Sequence, residues 1–160
     1  MGKFTHFDEE GAARMVDITG KAETEREAVA EGRVLMRPAT LRRILDRDLE
    51  KGDVIGVARV AGIMAAKRTS GIIPLCHSLS LTSVDISFQP RTRGSCLEIR
   101  ATVRCTGRTG AEMEALTAVA AAALAVYDMC KAIDRAMTLS DIRLLRKTGG
   151  KSGTFVRKRR

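Results

Sequence analysis

From Glu27 to Met36 the chain alternates around Ala28, Ala30, Val34 and Met36, the period-two pattern of a strand with one buried face. Pro38 then opens a helix, since proline is tolerated in a first turn, and Leu41, Ile44, Leu45 and Leu49 recur at helical spacing. Gly52 ends that helix, and Asp53 can cap a second one running through Val57, Val60, Ala61 and Met64 to about Arg68. Ser70-Gly71 is expected to break it. Ile72–His77 reads as an irregular segment, because Pro74 cannot donate within a central strand. Leu81–Phe88 alternates, with Val84, Ile86 and Phe88 on one face. Gln89–Ser95 reads as a turn, and Cys96–Cys105 alternates through Leu97, Ile99, Ala101 and Val103, so the pair predicts a hairpin. After the loop Thr106–Gly110, Ala111–Met137 reads as one long alanine-rich helix, and Thr138–Lys147 as a last strand through Leu139, Ile142 and Leu144. The order β-α-α-β-β-α-β predicts an α+β fold, an antiparallel sheet with helices on one face in the ferredoxin-like arrangement. Residues 1–14 are expected to be a flexible N-terminal segment, 15–155 a single domain and 156–160 a basic tail.

A length of 160 residues suits one domain of this kind, and 44% hydrophobic residues exclude a disordered chain. No apolar run reaches the roughly 18 residues of a membrane helix; the longest, Ala115–Val126, is interrupted by Thr117. The N-terminus lacks the apolar region of a secretion signal, so a cytoplasmic chain without membrane association is expected. Cys76, Cys96, Cys105 and Cys130 form no Cys-x-x-Cys pair and there are only two histidines, which argues for reduced thiols and against a zinc site.

The formal charge is +9, but the six cations from Lys147 onward account for all but +3 of it. The body is therefore only mildly basic. Aromatic residues make up 3%, too few for the stacking platforms of single-strand nucleic-acid binders, so no nucleic-acid partner is expected. A small anionic ligand suits the remaining charge better. The terminal Val156–Arg160 is most simply a solvated tail.

Three constellations could carry chemistry. Lys67-Arg-Thr-Ser-Gly71 leads through the Pro-containing loop to Cys76-His77. Its cations could merely complement a helix C-terminus, yet the clustered hydroxyls and loop histidine resemble a phosphate or base-edge site. Thr106-Gly-Arg-Thr-Gly110 places backbone amides near a helix start, followed by Glu112 and Glu114. Those carboxylates could simply favour the helix dipole, or accept hydrogen bonds from a guanine-like base. Asp128 and Lys131 are spaced i,i+3 on one helix face. They could be a surface ion pair, or a partly buried acid–base pair with shifted proton affinities. Arg26, Lys51 and Lys147 are lone cations, of which Lys51, in the turn Lys-Gly-Asp53, is the best placed to be held. Glu114 and Asp128, 14 residues apart, would lie roughly 21 Å apart on one straight helix. If one ligand uses both ends, the site is shared between chains, which predicts a symmetric homo-oligomer.

Met15-Val-Asp-Ile-Thr19, Lys51-Gly-Asp53, Ala61–Ser70, Ile73-Pro-Leu-Cys-His77, Thr109–Thr117, Tyr127-Asp-Met-Cys-Lys131 and Gly149-Gly-Lys-Ser-Gly153, in that order, resemble the cyclic pyranopterin monophosphate synthase family, also called molybdenum cofactor biosynthesis protein C. The resemblance spans roughly residues 4–155. It implies a ferredoxin-like subunit in a homohexamer, a trimer of dimers with sites between subunits. It implies a phosphorus–oxygen lyase that rearranges (8S)-3',8-cyclo-7,8-dihydroguanosine 5'-triphosphate, supplied by an upstream radical enzyme, into cyclic pyranopterin monophosphate with release of pyrophosphate. By the same resemblance Asp128, Lys131 and Lys51 are catalytic. Leu75, Cys76, His77, Met113 and Glu114 bind substrate, and Glu112, Lys67, Arg26 and Lys147 are further site positions. No cofactor is required, although Mg²⁺ could accompany the triphosphate. Ser78 and Ser80 stand where the family usually has proline, which loosens the segment after His77. The rival readings are a non-catalytic nucleotide-binding oligomer of the same fold and a basic RNA-binding module.

Overall fold

A computed structural model of the chain describes residues 10–50 and 52–158. Its elements run β1 (Thr24–Leu35), α1 (Pro38–Leu45), α2 (Val54–Lys67), α3 (Thr69–Ile72), β2 (Leu81–Arg91), β3 (Cys96–Gly107), α4 (Glu112–Cys130), β4 (Thr138–Thr148) and β5 (Phe155–Val156). The sheet order is β2-β3-β1-β4-β5, antiparallel throughout. The first four strands in that order have the ferredoxin-like arrangement. The expected β-α-α-β-β-α-β is thus present, with a one-turn helix and a short fifth strand added.

The alternation of β1 decides which face is covered. Arg26, Ala28, Ala30, Gly32 and Val34 are buried beneath the helices, while Glu27, Val29, Glu31 and Arg33 point to the open face. The covered face is built largely from small side chains, and so is the inner side of α4 (Ala115, Ala118, Ala122, Ala123). That lets α4 lie close against β1, β3 and β4, with α2 against α4 and β2. Gly62 marks the tightest approach. A Cβ there would sit 2.8 Å from the Ala118 carbonyl oxygen and would also overlap Ile86. On the open face the ladder register places Glu31 opposite Arg100 and Arg143, and Glu27 opposite Arg104. The exposed side of the sheet is therefore a lattice of cross-strand ion pairs.

Several expected boundaries move, each for a local reason. The strand expected from Glu27 begins at Thr24. The first helix stops at Leu45, before Leu49 and the expected end at Gly52: Arg47 adopts φ +55°, and the N–H groups of Arg47 and Asp48 donate back to the Ile44 and Arg43 carbonyls, a Schellman ending. Ser70-Gly71 does not end helical structure, because Thr69–Ile72 forms one further turn. The Thr69 hydroxyl donates to the Ala65 and Ala66 carbonyls. β2 runs on through Pro90 to Arg91, which its edge position permits. The long helix ends at Cys130, seven residues early. The chain beyond it instead brings Asp134 back to α1, where its carboxylate accepts from the Arg37 N–H and the Thr40 hydroxyl, both at 2.9 Å. Asp134 thus caps a helix whose own N-cap position, Arg37, offers no side-chain bond. The expected solvated tail is partly anchored: Phe155–Val156 pairs with β4, and the Arg157 guanidinium donates to the Leu144 carbonyl at 2.7 Å.

Candidate active site

Four segments converge beside the N-terminus of α4. β1 contributes Arg26, the loop after α3 contributes Cys76, α4 contributes Glu112 and Glu114, and β4 contributes Lys147. Arg26 is 9% exposed, and its Nε donates to the Gly107 carbonyl at 3.2 Å. The Lys147 ammonium meets Glu112 Oε1 at 2.6 Å, both side chains half-buried. Gly110 leaves the space into which that carboxylate folds, since a Cβ there would overlap it.

Glu114 is the unusual member. It is 2% exposed, and its Oε2 is buried with no hydrogen-bond partner among the described residues. Burial pushes its carboxyl above the ordinary range, and the nearby Glu112 adds to the effect. The Cys76 thiol donates to Glu114 Oε1 across 3.8 Å, a weak bond. Burial raises the Cys76 thiol, and Glu114 raises it further, so this cysteine is a neutral neighbour and not a thiolate nucleophile. Cys105 is raised by the same two causes. All four cysteines are free thiols.

Asp17, from the Met15–Thr19 motif, stands near His77. Its carboxyl is held below the ordinary range, chiefly by the Thr19 N–H at 2.8 Å and the Thr19 hydroxyl, with a smaller contribution from the charge of nearby His77. His77, Leu75 and Met113 are half-buried around this end of the fold. Lys67 is exposed in the last turn of α2, where it complements the helix dipole. The hydroxyl cluster expected beside it is only partly available. Thr69 is buried and spent on the carbonyls that end α2, while Ser70 and Ser78 bond each other at 3.0 Å.

At the other end of α4, the Lys131 ammonium lies 2.6 Å from Asp128 Oδ1. The expected partial burial of this pair is not found: the side chains are 52% and 61% exposed. The hydrogen bond and charge of Asp128, and not desolvation, raise the Lys131 proton affinity. The third residue expected to join them, Lys51, lies outside the described residues. α4 spans 19 residues, so the Glu114 and Asp128 groups sit at its two ends, about 21 Å apart by helical rise. The structure assembles the first group within one chain and keeps it apart from the second.

Sequence reasoning passed over three cations at the first end. A cleft of about 400 Å³ opens there, lined by Arg26, Glu112 and Lys147 and also by Lys21, Arg108 and Lys151. The only sequence signal for the latter two was their membership of glycine-flanked loops, Thr106–Gly110 and Gly149–Gly153.

The model of the MoaC family matches residues 15–150. The chain is 62% identical over 157 residues to the cyclic pyranopterin monophosphate synthase of Magnetococcus marinus, covering 98% of this chain and 96% of the relative. It is 62% identical to the protein of that name from Heliobacterium modesticaldum, over 98% and 99% of the two chains. It is 56% identical to the one from Parvibaculum lavamentivorans, over 98% of each.

Proposed function

We infer the function of this chain from one premise: it belongs to the MoaC family. It is a lyase of molybdenum cofactor biosynthesis, and its activity is the formation of cyclic pyranopterin monophosphate. We propose that its substrate is (8S)-3',8-cyclo-7,8-dihydroguanosine 5'-triphosphate, delivered by an upstream radical enzyme, and that pyrophosphate is the leaving product. The observation that carries this reading is the convergence of Arg26, Cys76, Glu112, Glu114 and Lys147 on one end of α4.

The chemistry asks for three things. A guanine-derived base offers N–H donors, and the unpartnered Oε2 of Glu114 is a buried acceptor that such a donor would satisfy. Opening and reclosing the ring system requires protons to be given and taken at fixed positions, the work of general acids and bases. We assign that work to Lys131, poised by its 2.6 Å bond to Asp128, together with Lys51. Loss of pyrophosphate requires cations on the phosphates, which this chain supplies in Arg26, Lys67 and Lys147. His77, Leu75 and Met113 complete the substrate-contacting surface in this reading. Mg²⁺ would arrive on the triphosphate and not in a site of this chain.

The two groups stand too far apart for one ligand in one chain, so we propose sites shared between subunits of a homohexamer, a trimer of dimers. The outer faces of the helices support an assembly. Val57, Val60 and Met64 recur on α2 at 46%, 62% and 40% exposure, and Leu124 on α4 is 60% exposed. A cytoplasmic location fits four reduced thiols.

The test is to incubate the pure protein with the cyclised dihydro-GTP and assay pyrophosphate and pyranopterin product together. Both should appear at equal rates, and Asp128→Ala should abolish both while leaving assembly intact. Binding without either product would return the chain to the non-catalytic reading.

A further inference from the structure

The open face of the sheet carries a hollow of about 620 Å³ that the candidate active site does not use: none of Arg26, Cys76, Glu112, Glu114 and Lys147 lines it. β4 divides the two, with Arg146 lining the hollow while its neighbour Lys147 reaches Glu112. Six arginines and Lys158 line the hollow against two carboxylates, Glu31 and Glu98. Each carboxylate is divided between two cations, Glu31 between Arg100 and Arg143, and Glu98 between Arg33 and Arg91. Two more carboxylates reach in from outside the lining. Glu27 pairs with Arg104 and Arg146, and Asp141 meets Arg33 at 3.4 Å and Arg143 at 3.8 Å. Positive charge still exceeds negative, because each carboxylate cancels only one cation. The excess gathers at the β5 end, where Arg157 and Lys158 are exposed and have no carboxylate within 4 Å among the described residues.

The end of the chain is built into this hollow. Phe155–Val156 pairs with β4, the Arg157 N–H donates to the Leu145 carbonyl at 2.8 Å, and its Nε donates to the Leu144 carbonyl at 2.7 Å. One side of that guanidinium is thereby fixed, and its two terminal nitrogens are left for a ligand. The paired arginines keep donors as well, since a guanidinium has five and a bidentate carboxylate takes two. The cations come from four strands and from the residues after the fifth, so at about 4.8 Å between strands the row is roughly 19 Å wide. One phosphate cannot bridge that width, whereas several phosphates in a chain can. Arginine suits phosphate oxygens through its planar fork. An acidic peptide gains less here, because peptides dock on sheets by pairing with an edge, and this is a face. A second copy across a two-fold axis would set the basic face against itself. We propose that the open-face hollow binds a linear oligophosphate, free or esterified to a nucleoside, with Arg143, Arg146, Arg157 and Lys158 as its donors. Val29, Leu145 and Val156 give the same hollow an apolar stretch on which a nucleoside would lie.

The chain has no tryptophan, so Val156→Trp places a single indole at the hollow, where Val156 is 62% exposed. Phe155→Trp, beside it, is a second reporter. Fluorescence titration of either full-length protein with inorganic tripolyphosphate should saturate, and should weaken with added salt. Arg157→Ala and Lys158→Ala, each added to the reporter, should lower affinity by about tenfold, the weight of one charge-assisted contact. Arg108→Ala, in the cleft beside Arg26, should leave it unchanged. GTP as a second probe separates the sources: binding tighter than that of tripolyphosphate assigns the hollow to a nucleotide, and weaker binding to free polyphosphate. No saturable change in either reporter, equal loss in Arg108→Ala, or no loss in Arg157→Ala and Lys158→Ala would each overturn the proposal. Displacement by duplex DNA at a far lower phosphate concentration would overturn it in favour of a nucleic-acid surface. Dissociation of the assembly when Arg157 and Lys158 are both replaced would overturn it in favour of a contact between copies. The two replacements should leave the KM for cyclised dihydro-GTP at the parent value; a KM that rises as tripolyphosphate binding is lost would make the hollow part of the substrate site and end its claim to be a separate one.

Discussion

Glu114 shows how one side chain can be costly to the fold and useful to the site. Its carboxyl is raised above the usual 4.5 because burial penalises the charged form. In the unfolded chain the group ionises near 4.5, whereas the folded protein holds its proton to higher pH. As pH rises through that window the unfolded state is favoured, and the penalty persists above it. Glu114→Gln should therefore melt higher than the parent at pH 8, by about 2–4 °C for each 1 kcal/mol recovered, with the gap closing towards pH 4. Turnover should fall, because the amide nitrogen presents hydrogens where a base edge needs an acceptor. Differential scanning fluorimetry across pH checks the first half; a variant less stable than the parent at pH 8 would contradict it. The candidate residues were legible in the sequence to the extent that they sit in compact motifs, as Cys76, Glu112, Glu114, Asp128 and Lys131 do. Exposure was not. Asp128 and Lys131 close an apolar helix and invited an expectation of burial, yet they stand on the outer side of its last turn, whose inner side buries Val126 and Cys130, at 61% and 52% exposure. Arg108 and Lys151 went unnoticed because a cation in a glycine-flanked loop has no periodicity to betray where it points.

At the scale of elements, the hydrophobic period located every long strand and helix, and the errors gather at ends. Helical propensity continues through Ala132 and Ala136, so Ala111–Met137 reads as helix, but propensity is worth only tenths of a kcal/mol per residue. A tertiary bond outweighs it here. Asp134, 2% exposed, leaves the helical path to cap α1 through Arg37 and Thr40. Burial alone would raise this carboxyl; the Arg37 N–H, the Thr40 hydroxyl and the Arg37 charge outweigh it and hold it below 3.8. No local pattern reveals a cap that comes from 97 residues away. β5 escaped detection for a simpler reason, since two residues carry no period. Asp134→Ala should cost about 2 kcal/mol, the loss of a buried cap and the orphaning of its donors. The depressed carboxyl gives the sign of the pH dependence. Its stabilisation is fully present above the ordinary value of 3.8 and is lost as pH falls through the lower folded value. Parent and variant should thus differ in urea midpoint at pH 7 and converge at strongly acidic pH. A constant difference across that range would mean that the cap acts by packing and not by charge.

For the whole molecule, the position of the two functional groups on α4 matters more than either group alone. The helix is rigid, 19 residues long and packed against the sheet and α2 along its length. It cannot bend to bring Glu114 to Asp128, and about 21 Å exceeds the reach of one small nucleotide held by both. The sequence made this argument available through spacing alone, and the fold adds the exposed apolar residues Val57, Val60, Met64 and Leu124 as a surface for a second chain. Sharing of sites has a consequence that no single-chain site can imitate. Glu114→Ala and Asp128→Ala should each be inactive alone. If the two variants are unfolded together and refolded into mixed assemblies, some sites will draw Glu114 from one chain and Asp128 from another. Random mixing of equal amounts should restore about a quarter of the parent turnover per site, because each half-site is intact in about half of the subunits. Mixing the two folded variants without subunit exchange should restore none, which guards against trace reactivation. Should co-refolding also restore none while the mixed assemblies form, the site would have to be completed within one chain, and the 21 Å gap would then have to be closed by residues other than Glu114.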